Sequence, residues 1–185
     1  MHAKNLIETV VVVAIAFAAP FAIAAEPTVA STAPPKTVTI DGQTLDLAWQ
    51  GGTEDAPIYE YIPQGETLEH WTHLASIREY HSIDDAKSLA EGTVQAVKQD
   101  YPGAPTQLVE NPNNGDVMID FLVGPPDGSF VEYNIFQYSK RPAGGTVAQQ
   151  YALRAYGDTS EFLKNLESTR GRLLNEMADH GLESK

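Results

Sequence analysis

Between Thr106 and Tyr156 the chain alternates four extended stretches with short breakers, and several of the stretches are apolar on both faces. Thr106–Glu110 passes through Asn111-Pro112-Asn113-Asn114-Gly115 into Val117–Val123. Gly124-Pro125-Pro126-Asp127-Gly128 leads into Phe130–Ser139, and Pro142-Ala143-Gly144-Gly145 into Val147–Tyr156. In the third stretch Val131, Tyr133 and Ile135 alternate with Phe130, Phe136 and Tyr138. Successive side chains of a strand point to opposite faces, so a sheet built from these strands must be covered on both sides. The short connections predict antiparallel neighbours.

Further strands precede them. Thr37–Ile40 and Thr44–Trp49 read as a hairpin around Asp41-Gly42, a strong turn dipeptide, with Leu45, Leu47 and Trp49 on one face. Ile58–Ile62 is the next strand, Pro63-Gln64-Gly65 a breaker, Thr67–Trp71 a short helical turn, and Thr72–Tyr80 another strand. Two helices supply covers. In the first, Ser82 is the cap, Asp84 and Asp85 sit in the opening turn, and Ile83, Ala86, Ala90, Val94, Val97 and Tyr101 form an apolar stripe that ends at Pro102-Gly103. The second starts at Asp158, with Glu161 three residues on, buries Leu163, Leu166, Leu173, Leu174 and Met177, and stops at Gly181. The fold class expected is α+β with a central, mainly antiparallel sheet.

The N-terminus reads as an export signal. Met1–Ala25 has a weakly basic start, a greasy run from Val10, and small residues at Ala22 and Ala24 that suit a signal-peptidase pocket. The apolar run is shorter than the roughly 20 residues of a membrane span and contains Pro20. Glu26–Thr37 is small, polar and proline-bearing, the composition of a disordered linker. A single domain is expected over 38–185, long enough to bury roughly two thirds of its unfolded surface. The formal net charge of −13 is unchanged by loss of Lys4 and Glu8 and opposes nucleic-acid binding. With no cysteine, the chain has no disulfide, thiol nucleophile, thiolate metal site or cysteine-linked lipid. The expected location is periplasmic or secreted, without stable membrane insertion after cleavage.

The segment Tyr61-Ile62-Pro63-Gln64-Gly65-Glu66-Thr67-Leu68-Glu69-His70-Trp71-Thr72, followed by Val131–Phe136 and Tyr151–Arg154, resembles the Mog1/PsbP-like fold, in particular its small exported bacterial members of the DcrB type. The likeness extends over about Val38–Gly181, is most specific in Gly-Glu-Thr…Trp-Thr, and includes no catalytic signature. It implies an α/β/α sandwich with an antiparallel central sheet and a mostly non-enzymatic accessory role, although a shared fold does not by itself carry function.

No motif supplies chemistry. There is no nucleophile elbow, phosphate loop or dinucleotide fingerprint. His70 and His73 share a face only if their segment is helical; in a strand they point apart, which favours a pair of surface histidines over a metal site. Glu110–Asp116 is oxygen-rich, but Pro112 occupies a position a calcium loop needs and Asn114-Gly115 is a turn in itself. Asp116 and Asp120 read as strand-end and solvent-face residues. Aromatic residues are the remaining feature: Tyr59 and Tyr61 share a strand face, and Trp71 is a third candidate contact, with core packing as the competing role. Arg154 is the fourth, or else the partner of Glu132 if the register sets them opposite.

The expectation is therefore an exported accessory or binding protein without catalytic residues, metal or cofactor. Its contacts would be Tyr59, Tyr61, Trp71 and Arg154, and its partner an envelope protein, peptide or glycan. The alternatives are a small envelope hydrolase or metal-dependent enzyme using the His70/His73 region, and a small-molecule carrier.

Overall fold

In the computed structural model, which describes residues 33–184, the eight expected strands and a short ninth at the C-terminal end of the described residues join into one sheet. The strands are β1 (Thr37–Ile40), β2 (Gln43–Gly52), β3 (Pro57–Ile62), β4 (His73–Tyr80), β5 (Thr106–Glu110), β6 (Val117–Val123), β7 (Phe130–Lys140), β8 (Thr146–Tyr156) and the short β9 (Glu183–Ser184). Helix α1 (Ala86–Asp100) lies between β4 and β5, and α2 (Ser160–His180) follows β8. The spatial order is β5-β6-β7-β8-β4-β3-β2-β1-β9, and every pairing is antiparallel. The chain is thus α+β with an antiparallel sheet. The expected signal, Met1–Ala25, and the linker up to Thr32 lie outside the described residues.

The two-face pattern is resolved by register. Tyr133, Ile135 and Tyr151 point to the face that holds α2, where they share a core with Leu166, Leu173, Met177, Val38, Leu45 and Tyr61. Phe136 and Tyr138 point the other way, packing with Val117, Ile119 and Phe121 against Ala86, Ala90 and Val97 of α1. Helix α1 lies mainly over β5, β6 and β7, with Ala148 of β8 and Tyr80 of β4 joining the same cluster.

Several local expectations are corrected. Asp84 and Asp85 both precede α1: Asp85 is the N-cap, accepting from the Ser88 N–H at 2.9 Å, while Asp84 accepts from Gly145 N at 2.8 Å and ties the helix start to the β7–β8 turn. Ser82 hydrogen-bonds Asp55 instead of capping, and Ile83 is exposed. Helix α2 begins at Ser160 behind Thr159, with Asp158 accepting from Ser160 N, and its Leu163 is 39% exposed. A bulge between Leu47 and Trp49 sets Leu47 opposite Tyr61 but Trp49 opposite Glu60, so Trp49 leaves the face it was expected to share. Thr67–His70 is a tight two-residue turn closed by reciprocal backbone hydrogen bonds, not a helical turn.

Other turns follow the sequence closely. Ile40 pairs with Gln43 around Asp41 and Gly42, both at positive φ (51° and 68°), the geometry that Asp-Gly favours. Gly181 ends α2 at φ 59°.

Candidate functional site

The four residues chosen from sequence do not form one surface. Tyr59 and Tyr61 lie on the α2 face, Tyr61 wholly buried with its hydroxyl unpartnered. Burial pushes the Tyr61 phenol up to about 12, and a side chain so enclosed cannot meet a partner. Trp71 and Arg154 do come together, on the α1 face. The Arg154 guanidinium is held between the Trp71 ring, 3.9 Å away, and the Phe130 ring, 4.4 Å away. Its Nε and Nη2 donate to Glu132 Oε2 at 2.9 and 2.5 Å, in the Glu132↔Arg154 register.

This cluster extends inward as a saturated polar chain. Gln150 donates to Asn134 at 2.7 Å and Asn134 donates to Glu132 at 2.9 Å. Trp71 is only 4% exposed, and the Tyr156 hydroxyl accepts from its N–H and donates to its carbonyl. Glu66 accepts from both the N–H and the hydroxyl of Thr72 at 2.7 Å. The Gly-Glu-Thr…Trp-Thr segment is therefore a clamp that fastens the β3–β4 connection to β8, and Trp71 and Arg154 are its rivets.

The two histidines part company. His70 stacks on Tyr156, at 4.1 Å between centroids, whereas His73 faces Tyr151 on the α2 side. Burial lowers the His73 pKa, opposed by the charges of Glu66 and Asp41. Among the described residues no group of three or more histidine, aspartate or glutamate side chains is placed to hold a metal ion. In the Glu110–Asp116 loop, Asn111 and Asn114 accept from backbone N–H groups two residues on, as turn residues do.

A different region has the form of a binding surface. Strand β5 is one edge of the sheet, and a hollow lies on either side of its beginning. The hollow on the α2 side, of about 310 Å³, is walled by Leu122, Leu163, Leu166 and Tyr133 over a charged floor. There Arg170 of α2 forks onto Asp120 of β6, Nε to Oδ2 at 2.6 Å and Nη2 to Oδ1 at 2.8 Å. Tyr133 donates to the same carboxylate at 2.9 Å, and Arg170 Nη2 also donates to Gln107 at 2.6 Å. Burial, and then the Asp120 charge, push the Tyr133 phenol up; the hydrogen bond to Asp120 raises Arg170 further.

The second hollow, about 300 Å³ and on the α1 side, is lined by Tyr101, Pro102, Ala104, Val123 and Pro126, with Asp100 at its rim. Leu122 borders both. Sequence reading placed Asp120 at a solvent face, yet it is 6% exposed. Its position opposite Ile135 in a doubly apolar sheet was the available signal that it needs a buried partner.

A protein-family model matches residues 32–182. The chain belongs to that family. The matched range contains both helices and every strand from β1 to β8, so the clamp and both hollows are part of the family unit. No curated protein matches the chain significantly. Among the described residues, no helix is long and apolar enough to cross a membrane.

Proposed function

We propose that this protein is an exported, periplasmic or secreted accessory protein that binds a partner without catalysis, and that its contact surface is the β5 edge with its two hollows. The observation that carries this reading is the pairing of an open sheet edge with a hollow of about 310 Å³ that β5 itself lines on the α2 face, beside a second of about 300 Å³ at the connection from α1 into β5. Walls that are largely apolar around a few fixed polar groups suit recognition. Asp120 and Arg170 at the floor are spent on one another: Asp120 receives three hydrogen bonds and Arg170 gives two of them, while Glu167 at the wall is exposed. Export is supported by the reading of Met1–Ala25 as a leader. The placement of α1 and α2 on opposite faces supports an α/β/α sandwich of the Mog1/PsbP-like, DcrB-type kind, in which an accessory role is the usual one.

Selection of a random peptide library on the purified protein tests the surface. Enriched peptides should lose binding to a Leu163→Asp variant, in which an exposed position at the hollow becomes charged while the core is spared. Peptides that bind the variant equally well, or no enrichment at all, would refute it. Export is tested separately, by expressing the full chain in a double-membraned bacterium and sequencing the mature N-terminus. The expected result is a periplasmic protein whose leader has been removed, with its new N-terminus at Ala25 or Glu26; an intact leader in the cytosol would reject export.

A further inference from the structure

We infer that the β5 edge takes up an extended partner segment as an additional strand, with apolar and basic side chains alternating along it; this rests on the reading of that edge as the contact surface. The register shows which backbone groups are free. Leu122 N donates to Pro105 O and Asn111 N donates to Asp116 O, so the odd-numbered residues of β5 bond toward β6. Thr106, Leu108 and Glu110 therefore present their N–H and C=O groups outward, and among the described residues no strand pairs with β5 on that side.

Natural sheets blunt such edges with lysine, proline, a bulge or an overlying element. Thr106-Gln107-Leu108-Val109-Glu110 has no lysine, no proline and an unbroken register, and Val109 is 62% exposed. At the opposite edge the terminal strand, β9, is only two residues long.

Side-chain preference follows from the hollows. Neighbouring residues of an added strand point to opposite faces: beside Thr106 and Gln107 the one on the α2 face meets the α2-side hollow, and the one on the α1 face points toward the connection from α1 that carries Asp100, Tyr101 and Pro102. On the α2 side Asp120 is already neutralised by Arg170, and Leu122, Leu163 and Leu166 invite an apolar side chain, with the exposed Glu167 on the solvent side of that wall adding to the attraction for a cationic segment. On the α1 side Asp100 is exposed and has no ion-pair partner among the described residues. A lysine or arginine stem would lie along Tyr101, Pro102 and Pro126 with its charge at Asp100. The net charge of −13 steers a cationic segment toward this protein and opposes edge pairing with a second copy.

The probe is a synthetic peptide of alternating valine and lysine, about eight residues long, the length of an ordinary strand. Titration followed by amide hydrogen exchange should show saturable binding. Thr106, Leu108 and Glu110 amides should exchange fast in the free protein and slowly in the complex, while Gln107 and Val109 are protected in both. Glu110→Pro removes one outward donor and spares the β6 ladder, so affinity should fall about tenfold, with Glu110→Gln as control. Binding that is lost in Leu163→Asp but brings no protection at the even-numbered amides would overturn strand addition and leave the surface reading intact. No saturable binding up to millimolar peptide would overturn the inference, and equal binding to Leu163→Asp would overturn both readings. A valine–glutamate peptide that binds as tightly would overturn the basic preference. A dimer in sedimentation with those amides already protected would replace the partner segment with a second copy.

Discussion

Replacing Arg170 by methionine tests whether the floor of the α2-side hollow is a fixed part of the fold. The substitution keeps the aliphatic reach of the side chain and removes the guanidinium, so Asp120 loses both charge-assisted hydrogen bonds and keeps only the one from Tyr133. Breaking a buried pair by removing one partner costs about 3–5 kcal/mol, because the remaining charge is left without compensation. Asp120 is buried, but the Arg170 side chain is 35% exposed, so water partly screens the pair and the lower end applies, about 3 kcal/mol. For a domain of this size that corresponds to a fall in Tm of about 6–12 °C. Urea unfolding followed by far-ultraviolet circular dichroism at neutral pH measures it. The double variant Asp120→Leu/Arg170→Met should recover most of the loss, since it removes the orphaned charge along with its partner. A loss below about 1 kcal/mol for Arg170→Met would refute the reasoning, for it would class the pair with exposed surface bridges.

Three further outcomes follow from the same geometry. Arg154→Lys keeps the charge but loses the flat group held between Trp71 and Phe130 and the forked approach to Glu132; it should cost about 2 kcal/mol and move tryptophan fluorescence to longer wavelength. Asp85→Ala deletes the α1 cap and should cost about 1 kcal/mol in urea unfolding, whereas Ser82→Ala, which leaves the cap intact, should cost less. Burial holds the Glu60 carboxyl above its usual range, with Arg78 opposing. A group raised on folding contributes most below its unfolded pKa, and that contribution is lost as pH rises through the folded value. Glu60→Gln should therefore stabilise the protein at neutral pH and lose that advantage toward about pH 4, and an advantage independent of pH would refute this.

The strands were legible because their punctuation is local. Asp41-Gly42, the Asn111–Gly115 loop and Gly144-Gly145 fix turns through backbone conformations that few other residues adopt, and alternation between them fixes the strands. Even the Glu132–Arg154 pair followed once the turn set the register. The strand order was not legible: nothing local says that β4 inserts between β3 and β8, a contact that joins residues far apart in the chain. The bulge at Leu47/Trp49 was equally hidden, since one extra residue inverts the facing of everything beyond it. The burial of Tyr61 and Trp71 was hidden for a related reason. Tyr61, Trp71 and Arg154 were conspicuous as large or charged residues in mild surroundings, and those are also the residues a small domain uses to fasten a long connection.

The clamp and the open edge are connected by what each does to the sheet. Strand β8 is central; it pairs with β7 along its whole length and with β4 on the other side, and the Trp71–Arg154–Glu132 cluster locks the start of β4 onto it. From β8 the pairing runs through β7 to β6, the one strand that pairs with β5 among the described residues. The Asp120–Arg170 fork fixes β6 to α2 at the level where β5 begins, and Gln107 joins it from β5 itself. An edge strand supported in this way is straight and registered before any partner arrives, so an added strand meets donors and acceptors already in place. Such preorganisation lowers the ordering cost of binding and should show as weaker peptide affinity in Arg170→Met, even where the variant remains fully folded.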